Sequence, residues 1–445
     1  MQEHIVIIGN GISGITCARH IRKNSNHRIT VISAETKHFF SRTALMYIYM
    51  GHMRYVDTKP YEDFFWEKNR IELLYDYVEN VDVDKKTLSI KSGANLKYDK
   101  LVIASGSKSN KFGWPGQDLK GVQGLYSYPD LELMEENTKD ISRAVVVGGG
   151  LIGVEMAEML HSRNIPVSFL VRESGFWNNV LPPLESELIG RHIREHGIDL
   201  QLSTELESIE GDENGKVKAV ITKSGEKIEC QFVGLTVGVH PNIDFLKSSG
   251  IETEKGVLVN KYLETNIEDV YAIGDCAQFR EAPGHNRRNV EQVWYTGRMH
   301  GEALAHTLCG NKTAYRPGNW FNSAKFFDIE YQTYGWVMPG LQDNELDFYW
   351  EDLSGKKALH FVFDKTDKVF KGINALGIRL RHEIVDRWLT EKRTVEYILE
   401  HFKDANFDPE FSKKYEKEIV EKYNAEFKTD LKVRKKNLMK IFKLN

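Results

Sequence analysis

One pattern constrains this chain more than any other: a buried strand, a glycine turn and a helix, in that order, occurring twice. The first copy opens with His4-Ile5-Val6-Ile7-Ile8, an apolar, mostly β-branched run suited to a strand covered on both faces of a parallel sheet. Gly9-Asn10-Gly11-Ile12-Ser13-Gly14 follows at once, Ile15 to Lys23 reads as a helix, and Arg28 to Ile32 reads as a second strand ending near Glu35. Each glycine has its own physical use. Gly9 permits the tight turn, Gly11 lets the backbone approach a diphosphate, and Gly14 lets the helix pack on the strand. The helix start then offers unpaired N–H groups and the positive end of its dipole to the anion. Ile12 and Ser13 join the three glycines as expected cofactor-binding residues, and Glu35 is expected to take ribose hydroxyls.

The second copy is Arg143-Ala144-Val145-Val146-Val147, then Gly148-Gly149-Gly150-Leu151-Ile152-Gly153, then a helix over Val154 to Arg163. Gly148, Gly150, Leu151, Ile152 and Gly153 form the second expected dinucleotide cradle. The next strand, Pro166 to Val171, ends without an acid; Arg172 comes first and Glu173 after it. A carboxylate there favours a ribose 2′-hydroxyl and an arginine a 2′-phosphate, so NADH and NADPH both stay open, with Arg172 inclining the reading towards NADPH. Further strands end in glycine: Leu101 to Gly106, where Ser105 and Gly106 are candidate contacts, and Phe232 to Gly238, followed by Pro241-Asn242. Gly238 is counted with the cofactor-binding set. Asp269 to Asp275 closes on Gly274-Asp275, a carboxylate at a sheet's carboxyl edge where ligands of open α/β folds collect, and Asp275 is expected to meet a ribityl hydroxyl.

Lys and Arg total 60 against 64 Asp and Glu, a net charge of -4, so no electrostatic footprint for nucleic acid is present and none is expected. The 41% hydrophobic and 28% charged balance excludes disorder and collagen. No run reaches the roughly 18 to 20 apolar residues of a membrane span, and the chain enters its first strand without a signal-type apolar segment; a cytoplasmic location is expected. Cys17, Cys230, Cys276 and Cys309 are far apart, without the short spacings of zinc, iron-sulfur or CxxC redox sites. The histidines, His285, His300, His306 and His382 among them, form no triad or metal set in the sequence, and no metal is expected.

In its order of motifs, Gly9 to Gly14, Ala104-Ser105-Gly106, Gly148 to Gly153 and Tyr271 to Asp275, the chain resembles the FAD-dependent pyridine nucleotide-disulfide oxidoreductase superfamily over roughly residues 1 to 340. The resemblance implies FAD at the first cradle, NAD(P)H at the second, and Gly274-Asp275 as a further FAD contact. Phe40-Ser41-Arg42-Thr43-Ala44-Leu45 looks like the aromatic/Ser-Arg-x-x-Leu segment of ferredoxin and rubredoxin reductases and of the flavin module of nitrite reductase large subunits. Disulfide reductases carry a CxxxxC pair here, and the NADH oxidase and coenzyme A-disulfide reductase group one cysteine, near the place of Leu45. By the resemblance Arg42 lies near the FAD diphosphate or flavin edge and Glu155 near the nicotinamide, both as candidate catalytic residues. The family's lysine partner of Glu155 is missing, because Met46-Tyr47 stand in its place. Glu291 to Arg298 is similar to the helix whose start faces the flavin pyrimidine, which brings in Gln292, Val293 and Trp294.

The implied fold is α/β: two Rossmann-like domains with parallel sheets and a C-terminal α+β interface domain. The expected boundaries are 1–112 with 241–316 for a discontinuous FAD domain, 113–240 for NAD(P), 317–400 for the interface domain, where Trp320 and Phe321 match the family's Trp-Phe, and 401–445 for a charged helical tail. Apolar residues at Phe411, Tyr415, Ile419, Tyr423, Phe427 and Leu431 predict one amphipathic helix across that span, and Lys428 to Lys443 is strongly basic. The implied activity is hydride transfer from NAD(P)H to FAD. Electrons then pass to an external acceptor, a ferredoxin- or rubredoxin-like protein or a nitrite-reductase-type partner, with no cysteine relay, in a homodimer. The alternatives are an NAD(P)H oxidase or quinone reductase with a small-molecule acceptor, and a redox-sensing assembly flavoprotein like the apoptosis-inducing factor group.

Overall fold

The computed structural model describes residues 2–408, 410, 411 and 413–434, and they divide into two compact units. The first comprises residues up to Arg172 together with Thr204–Pro317. Its opening strand, His4–Ile8, is the centre of a parallel sheet ordered Val270–Ala272, Lys100–Ile103, His4–Ile8, Arg28–Ser33, Ile71–Tyr75. Ile5, Val6 and Ile7 are fully buried, as a strand covered on both faces requires. The helices Ile12–Asn24 and Trp294–Leu308 pack closely together, and Gly301 sits where an added Cβ would lie 2.5 Å from the Ser13 carbonyl.

A second parallel arrangement in the same unit pairs Ala144–Val147 with Val167–Leu170 on one side and with Phe232–Leu235 on the other, and Phe232–Leu235 in turn pairs with Val122–Gln123. All four residues of Ala144–Val147 are buried, and the helix Leu151–Ser162 follows. Both glycine turns therefore sit at the carboxyl ends of central parallel strands, and the α/β expectation holds.

The second unit joins Glu173–Ser203 to the chain from Gly318 onward. Residues 173–203, expected inside the nucleotide domain, thus cluster with the C-terminal part. An antiparallel sheet ordered Phe321–Phe326, Ile329–Gly335, Phe370–Leu376, Ala358–Asp364, Glu345–Glu351 carries the helices His382–Thr390, Val395–His401 and Glu416–Phe427. The expected helix over 411–431 is shorter than its periodicity suggested. It runs from Glu416 to Phe427 and stops where Lys428 turns into the left-handed region (φ 56°), while Phe411 lies outside it and is 86% exposed. Ile419, Val420 and Tyr423 are buried in the core of this unit, so the tail up to there is domain and not appendage. The basic run from Lys435 to Lys443 lies outside the described residues. Among the described residues no helix is long and apolar enough to cross a membrane.

Candidate functional site

Both glycine turns are built to leave a helix start bare. At Gly9 the backbone takes φ 111°, and an added Cβ would lie 2.1 Å from the Ala104 carbonyl oxygen, so only glycine fits. Gly14 faces the Gly9 carbonyl at the same 2.1 Å, which brings helix and strand into contact. Gly11 is different: a Cβ there meets nothing within 4 Å. It is the N-cap of Ile12–Asn24 and makes no side-chain capping bond, so the first N–H groups face open space.

The second turn repeats this residue by residue. Gly148 has φ 114° against the Thr236 carbonyl at 2.6 Å, and Gly153 faces the Gly148 carbonyl at 2.2 Å. Gly150 is an N-cap without a side-chain bond and with open space around its Cβ position. Two uncapped helix starts of this kind are suited to an anion.

A cavity of about 880 Å³ joins the first turn to the start of the second helix. Gly9, Gly11, Ile12, Ser13, Glu35, Arg42, Ser105, Gly106, Leu151, Ile152, Glu155, Asp275, Gln292 and Trp294 all line it. Gly14, Gly148, Gly150, Gly153, Arg172, Gly238, Gly274 and Val293 do not. Most of the latter shape the backbone. Gly274 takes φ 73° and donates its N–H to His300 Nδ1 at 3.1 Å, Gly238 takes φ 88°, and Val293 is the N-cap of Trp294–Leu308. That helix starts at Trp294, so Glu291 and Gln292 precede it. Arg172 is exposed.

The polar wall is a hydrogen-bonded network of guanidinium, carboxyl and hydroxyl groups. Arg42 donates to both Glu35 oxygens, at 2.8 and 2.5 Å, and to the Tyr126 carbonyl at 2.6 Å, while the Tyr128 N–H reaches Glu35 at 2.9 Å. Burial works against the Arg42 charge, but the Glu35 carboxylate outweighs it and holds the guanidinium above its ordinary range. Asp275 accepts from the Tyr126 hydroxyl at 3.1 Å and from the Ser107 hydroxyl at 3.4 Å, and Gln292 donates to Ser107 Oγ at 2.7 Å. Burial raises the Asp275 carboxyl despite these donors. Glu155 is pushed up to about 7, first by burial and then by Glu158 one turn on. Met46 lines the same cavity, so no ammonium stands at that position to hold Glu155 ionised.

Tyr126, Ser107 and Asn10 belong to this wall and were not singled out from the sequence. Asn10 fixes the turn through its side chain, donating to the Thr36 carbonyl at 2.7 Å and accepting from the Ser33 hydroxyl at 2.9 Å. Its place inside the first glycine turn was the available signal. Tyr126 had none, since it reaches the site only through tertiary packing.

No cysteine lines the cavity. Cys17, Cys230 and Cys276 are buried, and burial raises each thiol, that of Cys230 to about 12. Cys309 is half-buried and is raised as well.

Residues 3–301 match the sequence pattern of the pyridine nucleotide-disulphide oxidoreductase family. Among curated relatives, the chain is 26% identical over 368 residues to an assimilatory nitrate reductase electron transfer subunit of Bacillus subtilis (strain 168), covering 82% of this chain and 47% of that protein. It is 30% identical over 313 residues to an NADH-rubredoxin oxidoreductase of Clostridium acetobutylicum, covering 70% of this chain and 76% of the other. The chain spans less than half the length of the Bacillus subtilis electron transfer subunit, at 47%, and of a nitrite reductase [NAD(P)H] of the same organism that it also matches, at 44%. A solved ferredoxin reductase for the CYP199A2 system from Rhodopseudomonas palustris has the same fold, with a TM-score of 0.76, 22% identity, and 84% of this chain and 91% of that one covered.

Proposed function

Because the chain belongs to the pyridine nucleotide-disulphide oxidoreductase family, whose cofactors are FAD and NAD(P)H, we propose that it is a flavin-dependent NAD(P)H oxidoreductase serving an external electron acceptor. The observation that carries this reading is a cavity that joins the first glycine turn to the start of the helix after the second and is lined by no thiol. Electrons gained there have no sulfur relay within the chain and must leave it.

The residues fit the cofactor. Gly9, Gly11 and the bare start of Ile12–Asn24 would take the FAD diphosphate, Glu35 the adenosine ribose, and Asp275 a ribityl hydroxyl. Bound there, FAD supplies hydride acceptance from the nicotinamide and release of single electrons. The chain's own part is placement and electrostatics. Arg42 anchors Glu35 and so fixes the carboxylate that would orient the ribose. Gly148, Gly150 and Gly153 would seat the nicotinamide dinucleotide so that its reactive end reaches Leu151, Ile152 and Glu155, the residues of the second helix that line the flavin cavity. The uncapped start of Trp294–Leu308, whose Trp294 lines the cavity, would offer backbone N–H groups to negative charge on the ring edge. Glu155, which lines the cavity with its carboxyl raised to about 7, could hold or give up a proton there near neutral pH.

The acceptor we favour is a small iron-sulfur or rubredoxin-type protein or a nitrite-reductase-type partner, by analogy with the named relatives. The domain division we infer keeps 1–112 with 241–316 on FAD and 113–240, less the 173–203 segment that clusters with the C-terminal unit, on NAD(P), in a homodimeric, cytoplasmic enzyme. The test is anaerobic reduction of the purified yellow protein by NADH and NADPH, followed by an acceptor series. Rapid bleaching with turnover of rubredoxin or ferredoxin is expected. Bleaching followed only by oxygen or quinone consumption, or a long-lived reduced complex with a change in oligomer size, refutes the acceptor assignment. An Arg172→Ala variant is expected to raise KM for NADPH more than for NADH; equal effects exclude a phosphate contact.

A further inference from the structure

The second unit contains a cluster that the reductase chemistry does not use. His192 and His196 stand one helical turn apart at the end of Pro183–Glu195, and Asp328 lies at the tip of the hairpin joining Phe321–Phe326 to Ile329–Gly335. All three belong to the same unit. Asp328 Oδ1 is 2.5 Å from His192 Nε2 and 3.7 Å from His196 Nε2, and one ligand atom from each of the three residues falls within 4.8 Å of the others.

We propose that His192, His196 and Asp328 form a binding site for a divalent transition-metal ion of the zinc class. The protonation pattern favours a cation at this point. The His192 carbonyl can only accept, so the His196 Nδ1 that lies 2.9 Å from it carries the proton, and Nε2 presents a lone pair towards the carboxylate side. His192 is 1% exposed, and its Nδ1 has no hydrogen-bond partner; Glu195 Oε2 is 3.6 Å away. If His192 gives its only proton to Asp328 through Nε2, a buried Nδ1 lone pair is left facing the Glu195 carboxylate. A metal on Nε2 puts the proton on Nδ1 and turns that repulsion into the carboxylate–histidine–metal arrangement common around bound ions.

The ligand set also selects the ion. Two imidazoles and one carboxylate suit zinc, cobalt or nickel, not calcium or magnesium, which prefer all-oxygen sites. Metal–ligand bonds of about 2.0 to 2.2 Å separate tetrahedral ligands by more than 3 Å, so Asp328 must move outward slightly. It is free to do so, with its side chain 58% exposed on a two-residue turn. The turn itself is registered on the histidines, because the Phe327 ring stacks on His196 with centroids 4.4 Å apart. One cation competes: Lys356 Nζ lies 3.4 Å from Asp328 Oδ2. A bound ion would staple the 173–203 segment to the hairpin and keep one coordination position for water.

The test uses the full-length flavoprotein, stripped with a chelator and titrated with zinc against a chromophoric competitor, with X-ray absorption at the zinc edge. One equivalent is expected, with two imidazole nitrogens in its shell. His196→Ala and Asp328→Asn are each expected to weaken it at least about tenfold, with flavin content and ferricyanide turnover unchanged. Lys356→Met is expected to tighten it. His196 is only half-buried whereas His192 is fully buried, so the His196 variant is expected to fold even if one at His192 does not. Zinc binding of equal strength in the His196 and Asp328 variants, a shell without imidazole, or no stoichiometric binding overturns the proposal.

Discussion

Gly11 and Gly14 are both glycines of the same turn, yet they are expected to fail in opposite ways when changed to alanine. At Gly11 a Cβ meets no protein atom within 4 Å, and the backbone is in the extended region at φ -68°. The fold therefore loses only the modest N-cap preference of glycine over alanine, about 0.5 to 1 kcal/mol. The methyl instead enters the space that the diphosphate would occupy. Overpacking of that kind costs roughly 1 to 3 kcal/mol, which is about 5- to 150-fold in flavin affinity. At Gly14 the new Cβ would stand 2.1 Å from the Gly9 carbonyl oxygen, where ordinary contact begins at 3.4 Å. Helix and strand must separate by more than an ångström, and the cost falls on the fold, roughly 3 kcal/mol or more. The helix-propensity gain of about 1 kcal/mol for replacing glycine does not offset it. Urea unfolding of the apoprotein and fluorescence titration with FAD separate the two quantities. A Gly11→Ala protein that binds FAD with unchanged affinity, or a Gly14→Ala apoprotein as stable as the parent, refutes the steric reasoning; a fully yellow Gly11→Asp protein refutes the site itself.

Three other perturbations follow from the same structure. The Glu155 carboxyl is raised from 4.5 to about 7 in the folded chain, so it binds more protons folded than unfolded, and its contribution to stability falls as pH rises through that window. Glu155→Gln should flatten this trend and remove any inflection near pH 7 in the rate of flavin reduction, measured by stopped flow. His360 sits between Glu185 and Asp347, each at 2.8 Å, and despite its burial these carboxylates raise it to about 9. Its stabilisation is complete below about pH 6.5 and is lost as pH rises through 9; a His360→Gln melt that keeps the parent's slope over that range contradicts this. Tyr423 is fully buried and donates to Glu396 at 3.2 Å, so Tyr423→Ala should destabilise the second unit by about 3 to 5 kcal/mol. A chain cut after residue 410 that melts like the parent refutes the packing assigned to Tyr415, Ile419 and Tyr423.

Much of the site was legible because its signals are local. A parallel strand buried on both faces must be continuously apolar, and Ile5-Val6-Ile7 and Val145-Val146-Val147 could be read as such before any contact was known. A turn with a carbonyl packed against its glycine tolerates no other residue, so the two cradles are written at fixed spacing. The absence of a thiol near Leu45 was equally plain. Periodicity misled where a backbone reversal intervened: the four-residue repeat from Phe411 to Leu431 runs past both ends of the helix, which closes at the left-handed Lys428.

Tertiary structure alone decided what the remote groups do. Arg42 and Glu35 are close in sequence, but their pairing is completed by Tyr126 and Tyr128 from a distant segment. Residues 173–203 lie between two parts of the first unit in sequence but cluster with the C-terminal sheet, where Glu185 is buried against His360 and Asn374. His192 and Asp328 are 136 positions apart and meet at 2.5 Å. Backbone conformation and strand burial depend on neighbours within a few residues, so one sequence can declare them. The protonation and partners of a buried polar group depend on whichever segments the fold brings around it, and no spacing rule records those.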